Sequence, residues 1–129
     1  MIILFSGCDK IKGFNTRIKE VINKELFKDK VLLGISAGSM NLGKIGYYSK
    51  DDDYDKTFFY EGLGFTDITI DPHFDINNRK QVNEIIDSSY KYRIIGLPND
   101  SCIVIKDNEI YYINNYFVVE DGKIKEKMY

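Results

Sequence analysis

An α/β fold is written into the order of this 129-residue chain, and three stretches carry it. Residues 2–5 are a short continuous apolar run that ends at Ser6-Gly7. Residues 14–26 place apolar side chains at 14, 18, 21, 22 and 26, a helical spacing with charges between them. Residues 31–35 are a second apolar run, followed by small residues that open another helix up to about Gly43. The order strand, helix, strand, helix predicts parallel strands, both buried, with helices packed on the faces.

The remainder reads differently. Residues 47–61 are Tyr-rich and contain the acidic cluster Asp51-Asp52-Asp53-Tyr54-Asp55. A calcium loop needs Gly at its sixth position and Glu at its twelfth. Lys56 and Gly62 stand there, so a solvated surface loop is the expectation. Residues 66–70 alternate and read as a strand that stops at Asp71-Pro72. Residues 78–90 read as a helix with Val82, Ile85 and Ile86 on one side. Residues 93–97, 101–106, 109–113 and 116–120 are short strands between turn residues such as Asp107-Asn108 and Asp121-Gly122. The C-terminal third is therefore β-rich and antiparallel. With no repeat, linker or low-complexity tract, residues 1–129 read as a single domain.

Composition narrows the function classes. Hydrophobic content of 43% and charged content of 29% are those of a globular protein with a real core. A net charge of −2, with Lys and Arg spread out apart from a short basic tail at Lys123, Lys125 and Lys127, argues against a nucleic-acid partner. Cys8 and Cys102 make neither a disulfide framework nor a metal-site spacing, so no metal or other cofactor is expected. No apolar run approaches the roughly 20 residues that span a bilayer, and the N-terminus lacks the features of a signal peptide. The expected location is the cytoplasm.

The chemistry concentrates at Gly34-Ile35-Ser36-Ala37-Gly38. A buried strand running into Gly-x-Ser-x-Gly and then a helix is a nucleophile elbow, which lifts one hydroxyl, that of Ser36, onto the tip of a sharp turn. The N–H groups of the following helix favour negative charge developing there. Such a serine needs a base, and the chain has one histidine, His73, in Asp71-Pro72-His73-Phe74 at the end of an expected strand. The base in turn needs a group to orient it, for which the turn Leu97-Pro98-Asn99-Asp100-Ser101 is the source. An oxyanion hole needs two N–H donors: Ala37 supplies one, and the turn Ser6-Gly7-Cys8 is placed to supply the other.

Taken together, these motifs resemble the peptidase S51 family, the group of dipeptidase E and cyanophycinase. The resemblance rests on Gly7-Cys8-Asp9, on Gly34 through Asn41, on Gly62-Leu63-Gly64, on Asp71 through Phe74 and on Gly96 through Ser101. It implies a three-layer α/β/α, flavodoxin-like fold of the class I glutamine-amidotransferase kind, here N-terminally shortened, with a sheet edge for a homodimer partner to cover. It implies Ser36 as nucleophile, His73 as base, Gly7 and Ala37 as oxyanion donors, and a small peptide or amide as substrate. Arg79, six residues after His73, is a weaker candidate for pairing with an acidic substrate side chain, and Cys8 is a thiol near the site. The chain departs from the family pattern where Cys8 replaces a glycine and where Asn99 takes the place of an acidic residue, with Asp100 next to it and Asp75 a weaker substitute. These departures motivate a second reading, a degenerate, non-catalytic member with a binding or assembly role. Glutamine amidotransfer uses an elbow cysteine, which Ser36 replaces, and the Gly7 turn lacks the spaced glycines of a phosphate loop.

Overall fold

A computed structural model describes the backbone of residues 2–4, together with residues 25, 27–50 and 55–128. It is an α/β structure with mixed strand pairings and few helices, and the chain separates into two compact units, Met1–Ile70 and Asp71–Tyr129. The expected helix at 14–26 and the acidic residues 51–54 lie outside the described residues.

In the first unit, β1 (Ile2–Leu4) pairs in parallel with β2 (Leu32–Gly34), Ile2 opposite Leu32 and Leu4 opposite Gly34. Helix α1 (Ala37–Leu42) follows at once and packs on β2. Close approach at Gly34 makes this possible: a Cβ there would lie 2.7 Å from Ser39 Cα and 2.8 Å from the Gly38 carbonyl oxygen. The expectation that residues 31–35 are fully buried is corrected. Strand side chains alternate between faces, and α1 covers only the face of Leu32 and Gly34. Val31, Leu33 and Ile35 fall on the other face and are exposed.

The two ends of the stretch expected to be a surface loop, residues 47–48 and 58–61, belong instead to an antiparallel hairpin of β3 (Ile45–Tyr48) and β4 (Phe58–Glu61). Cross-strand aromatic pairs explain it. Tyr48 stacks on Phe58 and Tyr47 meets Phe59, each at a centroid distance of 5.4 Å, and Tyr48 and Tyr60 join Ala37 and Met40 in one core cluster. Residues 66–69 are not the strand their alternation predicts. Threonine side chains compete for backbone partners there: Thr66 Oγ1 accepts from the Ile68 N–H, and Thr69 Oγ1 donates to the Ile45 carbonyl. Only an isolated bridge, Gly43 to Thr66, remains.

The second unit holds the strands β5 (Ile70–Pro72), β6 (Ile94–Leu97), β9 (Tyr116–Glu120) and β10 (Lys123–Lys127). They form one sheet in the order β10-β9-β6-β5, backed by a helix against β9. The helix α2 (Arg79–Ser88) is capped by Asn78, whose side chain accepts from the Gln81 N–H. Of its expected apolar side, Ile85 is fully buried while Val82 and Ile86 are half-buried. Ile94, Ile95, Phe117 and Val119 complete the core. A separate ribbon, β7 (Cys102–Lys106) with β8 (Glu109–Ile113), is also antiparallel. Asp107-Asn108 and Asp121-Gly122 join their strands with both residues at positive φ, as tight hairpin turns require. The basic tail is the edge strand β10, where Lys123, Lys125 and Lys127 alternate with the half-buried Ile124. Charged side chains on an edge discourage pairing with another chain.

Candidate active site

Ser36 ends the β2 segment and precedes α1, with φ 53° and ψ −123°. A non-glycine residue there is strained by about 1–3 kcal/mol. The first turn of α1 holds it in place. The Ser36 carbonyl accepts from the Ser39 N–H at 2.9 Å, the Met40 N–H at 3.3 Å and the Ser39 hydroxyl at 2.6 Å. Ser36 is exposed, its side chain makes no capping bond to α1, and Ala37 beside it is buried. Gly7 and Cys8 lie outside the described residues.

His73 follows β5, also at positive φ (59°), and is exposed. Its Nδ1 lies 2.5 Å from Asn99 Oδ1. An amide oxygen can only accept, so in this contact Nδ1 is the donor. Phe74 anchors the turn. Its N–H donates to the Leu97 carbonyl at 3.2 Å, and its buried ring meets Phe117 at 5.1 Å. That ring also lies over Gly96, where a Cβ would sit 2.8 Å from it.

The turn that carries Asn99 is fastened as well. The Ser101 N–H closes it onto the Pro98 carbonyl at 3.1 Å, and Ser101 Oγ donates to the Asn115 carbonyl at 2.6 Å. Asn114, at positive φ, donates from its side chain to the Asp100 carbonyl. Of the three groups named to orient the base, the structure brings Asn99 to His73. The Asp100 carboxylate accepts from Ser101 Oγ at 3.4 Å, and that of Asp75 accepts from the Asn77 N–H at 2.9 Å. Arg79 opens α2 and is exposed.

Sequence reasoning missed two residues that border the histidine turn. Asp71 is 4% exposed and accepts from Gln81 Nε2 at 3.2 Å. Burial pushes its carboxyl from the ordinary 3.8 up to about 7, the Gln81 hydrogen bond acting against the rise and the Glu84 carboxylate adding to it. The spacing Asn78-x-x-Gln81 is a capping-box signal, which sends the Gln side chain back to the cap N–H. Gln81 Oε1 instead accepts from the Asp75 N–H at 3.0 Å, while the Asn78 N–H goes to the Asp75 carbonyl. Only the fold places Asp71 and Asp75 within reach of that amide.

Among the described residues no His, Cys, Asp and Glu cluster is placed to hold a metal ion, and no helix is long and apolar enough to cross a membrane. The sequence profile of Peptidase family S51 matches residues 12–113, more than half of the chain. The matched span includes the Ser36, His73 and Asn99 motifs and leaves out residues 7–9. No curated protein matches the chain.

Proposed function

The chain belongs to peptidase family S51, and from that premise we propose that it is a serine-type hydrolase of small peptides or amides that works through an acyl-enzyme. The observation that carries this reading is the backbone of Ser36, a strained, exposed serine between a strand and the helix that follows it. That is the conformation in which a turn presents a nucleophile.

The reading takes the chain as one S51-like domain of the three-layer, flavodoxin-like kind. Ser36 Oγ attacks the substrate carbonyl carbon and its proton passes to His73 Nε2. The carbonyl oxygen takes up the negative charge and is held by the N–H groups of Ala37 and Gly7. The C–N bond breaks as His73 returns the proton to the leaving amine, leaving Ser36 acylated. Water then attacks the ester, with His73 again accepting and returning a proton, which frees the acid and the serine. Asn99 holds the ring by accepting from Nδ1–H, which keeps Nε2 available as base. Arg79 is the candidate partner for an acidic substrate side chain.

A fluorophosphonate probe tests the nucleophile. The expected result is one adduct on Ser36 by peptide mass mapping, absent in Ser36→Ala. No adduct, alongside a labelled control hydrolase, overturns the reading. One observation favours the second reading, a non-catalytic member: the group on His73 Nδ1 is an amide, which cannot stabilise imidazolium as a carboxylate does. In that case Ser36→Ala leaves every measurable property unchanged.

A further inference from the structure

Gln81 touches both ends of the turn that carries His73. Its Nε2 donates to Asp71 Oδ2, two residues before the histidine, and its Oε1 accepts from the Asp75 N–H, two residues after it. We propose that Gln81 is a positioning residue: one side-chain amide that ties the two ends of the turn together and so holds the imidazole in register with Asn99.

The amide suits this place because it donates and accepts at once. A carboxylate would keep the Asp75 bond but lose the donor that Asp71 requires. A lysine would keep a donor and lose the acceptor. The amide is itself held from behind. Gln81 lies in the first turn of α2, its N–H is taken by the Asn78 cap at 3.3 Å, and Ile85, one turn on and on the same face, is fully buried. The tie thus connects a seated helix to a turn that has reason to relax, because His73 occupies a backbone region costing about 1–2 kcal/mol for an L-residue. Two further hydrogen bonds, Phe74 N–H to the Leu97 carbonyl and His73 Nδ1 to Asn99, act on the middle of the turn. Gln81 acts on both flanks. Helix capping does not account for it, since its side chain reaches past Asn78.

The catalytic consequence rests on the reading of His73 as the base, and the experiment separates the two. The chain has one histidine, so in 15N-labelled, tag-free protein the ring nitrogen signals need no assignment. The native ring is expected as the Nδ1–H tautomer. In Gln81→Met, similar in length and helix propensity, and in Gln81→Ala, the best helix former, it is expected to move toward a mixture with the Nε2–H form. Gln81→Glu, which retains only the Asp75 bond, is expected between them. Turnover falls roughly tenfold or more in the first two variants, the scale on which misplaced catalytic groups act, with KM within about twofold. A purely structural role would lower thermal stability and leave the ring spectrum alone. Ring spectra of Gln81→Met and Gln81→Ala that superpose on the native one overturn the proposal. A ring shift in a protein that never labels at Ser36 retains the tie and removes the hydrolase reading.

Discussion

The two turns that present Ser36 and His73 solve the same problem in opposite ways. Each holds a non-glycine residue at positive φ with its side chain exposed. The Ser36 turn is held by its own neighbours: the bonds to its carbonyl come from Ser39 and Met40, three and four residues on. The His73 turn is held from afar, by Asn99 at a separation of 26 residues, by the Leu97 carbonyl and by the Gln81 amide. A locally held residue survives as a recognisable word in the sequence. One held at long range exists only once the sheet has formed.

The comparison can be broken most forcefully at Ser36, the proposed nucleophile. Ser36→Ala is expected to lower turnover by roughly 10⁴-fold or more, the scale at which removing a catalytic serine acts, while the far-UV circular dichroism and melting temperature stay near native. A large loss of stability instead would show Ser36 to be part of the scaffold.

The second turn has a titrating support, and this gives the next largest effect. Folded Asp71 holds its proton up to about pH 7, whereas the unfolded chain releases it near 3.8. Its contribution to stability is therefore complete below about pH 4, shrinks as pH rises, and is gone above about 7, a swing of up to about 4 kcal/mol. Urea unfolding at pH 5 and pH 8 should show native protein losing stability across this window and Asp71→Asn losing markedly less. Equal pH slopes in the two proteins would remove Asp71 from the account.

Each turn also rests on a glycine that admits close packing. At Gly34 the obstructing atoms include the main chain of Gly38 and Ser39, which cannot yield without moving α1. At Gly96 the obstruction is the Phe74 ring, a side chain. Gly34→Ala is therefore expected to cost about 3 kcal/mol and Gly96→Ala about 1–2 kcal/mol, within the usual range for overpacking. Chemical denaturation checks the order, and a reversed order would mean that the long-range turn is the more rigid of the two.

The smallest effect sharpens the chemistry. Asn99→Asp puts a carboxylate where the amide now accepts from the ring, and is expected to raise turnover about tenfold by stabilising imidazolium. Asn99→Leu is expected to lower it by a similar factor. Steady-state kinetics on a small peptide or amide, normalised to active serine, measures both. Unchanged turnover in Asn99→Asp would separate the ring contact from catalysis.

What the sequence by itself determined follows from local physics. Two apolar runs predicted the parallel pair β1–β2, Asp107-Asn108 and Asp121-Gly122 predicted tight turns, and the Gly-Ile-Ser-Ala-Gly stretch predicted an exposed serine between strand and helix. The turns and the exposed serine depend on neighbours within about four residues, where turn chemistry is legible, and the parallel pair was legible through the strand-helix-strand order that a crossover connection requires. Tertiary structure decided the rest. It buried the side chains of residues 31–35 unevenly, because α1 packs on the face of Leu32 and Gly34 while Val31, Leu33 and Ile35 stay exposed on the other. It turned Tyr47, Tyr48, Phe58 and Phe59 from loop into hairpin, because each ring found a partner on the opposite strand. It also chose Asn99 over Asp100 and Asp75 for the histidine, and sent Gln81 across to Asp71 and Asp75, since hydrogen bonds between residues far apart in the chain are settled by which strands lie side by side.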